Sequence, residues 1–247
     1  MRQARVLVAE FLGTFALVFF GAGSICADAL LRGKAAFGPG DLVLVAAAHA
    51  VVLAVMVSAL AHISGSHFNP AVTIALAVGK RIEAGLAIAY VVTQLVAGIV
   101  AAALLAYVFP STATTSARFG APVPSPDTGA LKAMVIEAVL TFFLVTVIYA
   151  TAVDPRGAFD RIAGFCIGLT LFFVILVGGP FTGAALNPAR AFGPALFAGS
   201  LDGVHFLAYW VGPVIGGLVA GFLYERVLIK EPVAAVPHAP WEEDVTA

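Results

Sequence analysis

Two stretches decide the fold: Ser64-Gly65-Ser66-His67-Phe68-Asn69-Pro70-Ala71-Val72 and Thr182-Gly183-Ala184-Ala185-Leu186-Asn187-Pro188-Ala189-Arg190. Each places Asn-Pro ahead of an apolar run. Asn is a preferred helix N-cap, and Pro is favoured at the first helical position, where its missing N–H would have had no intrahelical partner. The apolar runs that follow, 69–79 and 187–198, hold 11 and 12 residues. As helix that is about 16–18 Å, about half of a hydrocarbon core of about 30 Å. They are expected to be half-helices that enter a membrane without crossing it.

The rest of the chain has the composition of a membrane domain. Of 247 residues 61% are hydrophobic and 11% charged, with a mean hydropathy of +1.03, against about 45–50% apolar and about 25% charged in soluble domains. Six long apolar runs, at 6–26, 42–61, 84–107, 131–152, 162–179 and 204–228, are expected to span the bilayer. The expected architecture is an all-α membrane protein with six transmembrane helices and two re-entrant half-helices. One membrane domain over residues 1–230 is expected, with a tail at 231–247 that reads as disordered and cytoplasmic. The basic N-terminus and its apolar body resemble a secretory signal, but Glu10 inside that body argues for a retained first span.

Charge sets the orientation. An even number of spans puts both termini on one side, and Lys and Arg concentrate on cytoplasmic loops. Arg2, Arg5, Lys80, Arg81, Arg156, Arg161, Arg226 and Lys230 fall on the terminal side, against Arg32, Lys34, Arg118 and Lys132 opposite. The expectation is an integral protein of a cell (inner) membrane with cytoplasmic termini. A formal net charge of −1 suggests no nucleic-acid partner. Cys26 and Cys166 lie in or beside apolar runs and read as small hydrophobes. No phosphate loop, metal-spaced His/Cys set or nucleophile–base pair occurs, so neither enzyme, metal nor cofactor is expected.

The halves repeat. AEFLGTFALVFFGAGS from Ala9 matches IEAVLTFFLVTVIYAT from Ile136, pairing Glu10 with Glu137. The two Asn-Pro-Ala stretches pair next, and YVVTQLVAGIVAAALL from Tyr90 matches YWVGPVIGGLVAGFLY from Tyr209. Repeat one covers about 6–107 and repeat two about 131–228, with an extended external linker at 108–130. Three spans per repeat is an odd number of crossings, so the second copy is inverted. Inverted repeats place their site near the midplane, where interrupted helices meet. Asn69-Pro70-Ala71 and Asn187-Pro188-Ala189 would then abut there. Their amides would face the pore as donors and their positive helix ends would repel cations. Glu10 and Glu137, costly inside spans, are read as carboxylates that satisfy the irregular backbone beside them rather than as a proton relay.

HFNPAVT, LNPARAFGPA, AEFLGTF and YWVGPVIGG closely resemble the aquaporin (major intrinsic protein) family from about Ala9 to about Leu228. The resemblance implies a homotetramer whose monomers each carry a pore. It also implies a narrow outer filter, at positions that look like His49, Ile175, Ala184 and Arg190. The backbone carbonyls of Ser64, Gly65, Ser66 and His67, and of Thr182, Gly183, Ala184 and Ala185, would form the family's acceptor ladder. Water-selective members usually carry Phe on span two and His on span five; here His49 is on span two and Ile175 on span five. That set is similar to plant tonoplast intrinsic proteins, some of which pass ammonia, urea or hydrogen peroxide besides water. Glycerol facilitators typically differ where this chain has Ala191, Ala195, Tyr209 and Trp210. The implied function is passive conduction of water and small neutral solutes (ammonia, urea, hydrogen peroxide, glycerol), excluding protons and ions. An ion-coupled secondary transporter and a junctional membrane protein are the competing readings.

Overall fold

The computed structural model describes residues 2–156 and 160–229. Six helices are long and apolar enough to cross a membrane. They are α1 (Arg2–Arg32), α2 (Pro39–Ser64), α4 (Ala84–Val108), α6 (Ala130–Ile148, prolonged by a π-turn to Val153), α7 (Ala163–Thr182) and α9 (Gly203–Leu228). Two shorter helices, α3 (Pro70–Val78) and α8 (Pro188–Ala198), follow the Asn-Pro pairs directly. Large apolar side chains such as Phe20, Val51, Val92, Phe165 and Phe222 stand exposed around the bundle. A water-facing surface would not carry so many, and a lipid-facing one should.

The expected spans and half-helices appear with small shifts at their ends. The first span was expected to end at 26 and instead runs on to Arg32. Asp28, which interrupts the apolar run, pairs with Arg32 one turn later at 3.1 Å and holds that turn helical. The linker is also more ordered than an extended connection: a short helix, α5 (Ser111–Ser116), and a 3₁₀ turn at Arg118–Gly120 occupy it.

Packing follows the duplication. α1 packs on α2 and α4, and α6 correspondingly on α7 and α9. Each half-helix, however, lies against the last span of the opposite repeat, α3 on α9 and α8 on α4. The second contact is very close. A β-carbon added at Gly98 of α4 would sit 2.5 Å from the Ala189 carbonyl oxygen, so glycine is what lets the backbones meet.

On the face that carries both described chain ends, side chains from two loops and from the end of α9 tie the structure. The Arg81 guanidinium donates to both carboxylate oxygens of Glu225 at 2.7 and 2.8 Å. Arg156 donates to Asp154 at 2.6 Å and to the Leu228 carbonyl at 2.7 Å, holding the end of α9 beside the loop between α6 and α7. The Arg156 guanidinium holds the Asp154 carboxyl down at about 2.

Replacing Gly98 with leucine is expected to lower the thermal unfolding temperature in detergent, since overpacking typically costs about 1–3 kcal/mol. An unchanged temperature would contradict the close packing of α8 on α4. Because the Asp154 carboxyl is held low in the folded state, its contribution is full above the ordinary value of about 3.9 and fades as pH falls toward about 2. Asp154→Asn should therefore destabilise equally at pH 7 and pH 5, checked by the same melts at both pH values.

Candidate pore and its constriction

The segments entering the half-helices, 65–68 and 183–186, are irregular backbone inside the bundle. Ser66, Phe68, Ala184 and Leu186 all have φ between 46° and 55°, the left-handed region that residues with a side chain adopt at a cost of about 1–3 kcal/mol each. What holds them there is a buried carboxylate on each side. Glu10 accepts from Ser64 Oγ at 2.8 Å, from the His67 N–H at 3.0 Å, and from the Phe68 N–H at 2.7 Å. Glu137 accepts from Thr182 Oγ1 at 2.7 Å, from the Ala185 N–H at 2.9 Å and from the Leu186 N–H at 2.7 Å. The hydroxyls of Ser64 and Thr182 take the N–H groups of Ser66 and Ala184, both at 3.1 Å.

Peptide planarity converts these donations into carbonyl directions. In a trans peptide the C=O points opposite the following N–H. With the N–H groups of residues 66–68 and 184–186 turned to the scaffold, the carbonyls of Gly65, Ser66, His67, Gly183, Ala184 and Ala185 turn the other way. The two outermost rungs of the expected ladder differ. The Ser64 carbonyl accepts the Tyr90 hydroxyl at 2.8 Å and the Thr182 carbonyl accepts the Tyr209 hydroxyl at 2.7 Å. Both tyrosines head the third repeated block of the sequence, which was the signal that could have found them.

The Asn-Pro-Ala turns meet. Asn69 Oδ1 accepts the Ala71 N–H at 2.9 Å, while Asn187 Oδ1 accepts those of Ala189 at 2.9 Å and Arg190 at 3.2 Å, as N-caps should. Each side-chain amide then donates across the junction: Asn69 Nδ2 to the Leu186 carbonyl at 3.0 Å, Asn187 Nδ2 to the Phe68 carbonyl at 2.8 Å. The sequence reading turned each amide outward to the pore as a donor. One N–H of each is instead spent on a latch between the repeats, leaving one per asparagine. Pro70, Ala71, Pro188 and Ala189 are all buried at this junction.

A cavity of about 430 Å³ runs from Asn69 and Asn187 toward the face that carries the chain ends, and at its other extreme touches His49, Ala184 and Arg190. No carboxylate lines it among the described residues. His49 is 3% exposed and fully engaged: its Nδ1 lies 2.9 Å from the Val45 carbonyl, which fixes Nδ1 as the donor, and its Nε2 accepts from Arg190 Nη2 at 3.1 Å. Arg190 Nη1 donates to the Gly120 carbonyl at 2.8 Å, and its Nε–H is buried without a protein partner. With both ring nitrogens engaged, His49 holds Arg190 in place and has no hydrogen left to donate. Ile175 is buried in the core cluster that also contains Ala184, but it does not line the cavity. Gly120 was missed because it sits in the linker, where no motif marks it.

The first half-helix carries a further network. Gln94 Nε2 donates to Glu10 at 2.9 Å and to Thr73 Oγ1 at 3.0 Å, and Thr73 Oγ1 donates to the Asn69 carbonyl at 3.0 Å. His67 Nδ1 lies 3.1 Å from the same hydroxyl. The repeat places Ala191 and Pro213 where Thr73 and Gln94 stand, so the second turn has no such tie.

The family model for the major intrinsic proteins matches residues 1–224. The chain belongs to the major intrinsic protein family. Among its relatives, aquaporin TIP4-4 from Zea mays is 45% identical over 233 residues, covering 92% of this chain and 88% of that protein. Probable aquaporin TIP3-2 from Arabidopsis thaliana is 47% identical over 246 residues, covering 96% and 89%. The solved aquaglyceroporin from Plasmodium falciparum superposes with a TM-score of 0.79 at 23% identity, covering 92% of this chain and 97% of that one, and so shares the fold. Six spans and two half-helices are thus the major intrinsic protein architecture.

Glu137→Ala would leave the Ala185 and Leu186 N–H groups buried without an acceptor, at about 1–3 kcal/mol each, while the Thr182 hydroxyl keeps the Gly178 carbonyl at 3.4 Å. Loss of folded protein on size-exclusion chromatography is expected, with Glu137→Gln milder because it keeps one acceptor oxygen. Equal yield of Glu137→Ala and the native chain would contradict the carboxylate's anchoring role.

Proposed function

We propose that this member of the major intrinsic protein family is a passive channel for water that also passes small neutral solutes such as ammonia, urea, hydrogen peroxide and glycerol, and excludes protons and ions. The observation that carries the proposal is the latch between Asn69 and Asn187 on the wall of the cavity. Two half-helix N-termini converge there, each with one amide N–H left over. A passing water can accept from these donors while the positive helix ends disfavour a cation, and a relay of protons is broken. Away from the latch, the carbonyls of Gly65, Ser66 and His67 on one side, and of Gly183, Ala184 and Ala185 on the other, supply acceptors along a single file.

At the outer constriction, His49, Ala184 and Arg190 form the filter, with Ile175 as the fourth position. His49 has no donor to spare, so Arg190 supplies the hydrogen bonds, and Ala184 leaves apolar room, with Ile175 packed behind it. Solutes that bring an acceptor and little bulk fit such a filter. The ion-coupled reading has little to stand on, since Glu10 and Glu137 are consumed by backbone N–H groups and no acid faces the cavity among the described residues. The relatives named aquaporins support the channel reading. The assembly is a homotetramer with both termini in the cytoplasm, as the eight-to-four distribution of Lys and Arg favours, in a cytoplasm-facing bilayer such as a cell (inner) membrane.

His49→Phe combined with Ile175→His narrows the filter and adds a competing donor. Urea and ammonia flux into proteoliposomes should fall severalfold while water flux persists, read by stopped-flow light scattering and an internal pH dye. Solute flux equal to that of the native chain would contradict the assignment of these two positions. Uphill solute flux driven by a sodium or proton gradient would overturn the passive reading itself.

A further inference from the structure

Between α1 and α2, on the outer side of the bundle, lies a groove of about 330 Å³. Ala9 is its buried floor. Val8 and Leu12 of α1 and Leu60 and Ile63 of α2 form its walls, and Ala4 and Arg5 stand at its end nearest the start of the chain. Its side chains are apolar except for Arg5, whose guanidinium is exposed and makes no ion pair or hydrogen bond with any described residue. From Arg5 to Leu12 is seven residues of helix, about 10 Å, or about a third of the hydrocarbon core. The groove therefore has a cation near the membrane surface and an apolar channel leading inward from it.

The duplication shows what a filled version of this place looks like. Ala4, Arg5, Ala9 and Ile63 correspond to Leu131, Lys132, Ile136 and Phe181 in the second repeat. Three of the four positions carry a larger side chain there, and the fourth, Lys132, holds its ammonium 5.7 Å from the centre of the Phe181 ring. The first repeat has no ring to occupy its cation and two alanines where the second has leucine and isoleucine.

We infer that the groove seats one anionic phospholipid from the leaflet on the chain-end side, with an acyl chain lying over Ala9 between the two helices and the phosphate paired with Arg5. A guanidinium matches a phosphate with two parallel N–H donors. A zwitterionic lipid brings the same phosphate with its charge cancelled, so the anionic one is preferred. One basic side chain near a lipid surface sets that preference at about fivefold. The seat backs onto the anchor of the first half-helix, because Ser64, next to Ile63, donates to Glu10, next to Ala9, at 2.8 Å. A bound lipid fills the gap behind that hydrogen bond and stabilises the folded chain by mass action.

The test is native mass spectrometry of the full chain in detergent, with dioleoyl phosphatidylglycerol or dioleoyl phosphatidylcholine added at equal concentration. One phosphatidylglycerol per chain should bind, about fivefold better than phosphatidylcholine. Arg5→Gln removes the charge and keeps the groove, and should bring the two lipids to equal binding. Ala4→Leu with Ile63→Phe copies the second repeat, fills the groove and keeps the charge, and should lower binding of both lipids severalfold. A preference that survives Arg5→Gln, or binding unchanged in the filled groove, would overturn the proposal by reducing it to unspecific contact with the bilayer. Displacement of the lipid by inorganic phosphate alone would overturn it in favour of a free anion. A change in oligomer mass in the filled-groove variant, with lipid binding intact, would overturn it by assigning the groove to a second copy. Thermal melts give an independent readout: phosphatidylglycerol should raise the unfolding temperature of the native chain and not that of Arg5→Gln, and an equal rise in both would contradict the seat. None of these measurements depends on conduction, so their failure is distinct from failure of the channel reading.

Discussion

A short irregular segment cannot sit inside a membrane bundle unless every N–H in it finds an acceptor, and here a single carboxylate in each repeat answers that demand. Glu10 and Glu137 collect the donors of residues 67–68 and 185–186, and in doing so hold four residues at left-handed φ that would otherwise relax. The same donation fixes the sense of the carbonyls by planarity of the peptide. One constraint therefore yields both the survival of the interrupted backbone and a row of carbonyls turned away from the scaffold.

The second consequence appears where the segments end. Having been held in register, the two Asn-Pro-Ala turns meet with each amide donating to the other repeat's backbone. This latch joins the halves at the point where the half-helix dipoles converge, and the exchanged packing of α3 on α9 and α8 on α4 closes it from outside. Arg190, one residue past the second turn, is then held by His49 and by the Gly120 carbonyl, so its position depends on α2, the linker and α8 together.

Much of this was legible in the sequence because duplication amplifies weak signals. A lone Asn-Pro reads as any N-cap, but two in matched positions, preceded by matched glutamates and followed by matched tyrosines, specify half-helices and their anchors. Periodicity and length found the six spans, with errors only at ends such as Asp28–Arg32, where an ion pair continues a helix past its apolar run. The latch was not legible, since nothing local says that an asparagine amide donates to the opposite turn. Nor was the role of Gly120, which depends on how a loop folds over α1 and α8. The engagement of His49 with Arg190 is likewise a tertiary fact, and it leaves Arg190 rather than His49 with hydrogens to donate.

The central claim is that two latched half-helices let water through in single file and break proton transfer. Simultaneous stopped-flow measurement of osmotic shrinkage and internal pH in proteoliposomes tests it most directly. The account predicts water permeability well above that of empty liposomes with a proton leak indistinguishable from theirs. Proton leak rising in step with water flux, or shrinkage no faster than empty liposomes, would contradict it.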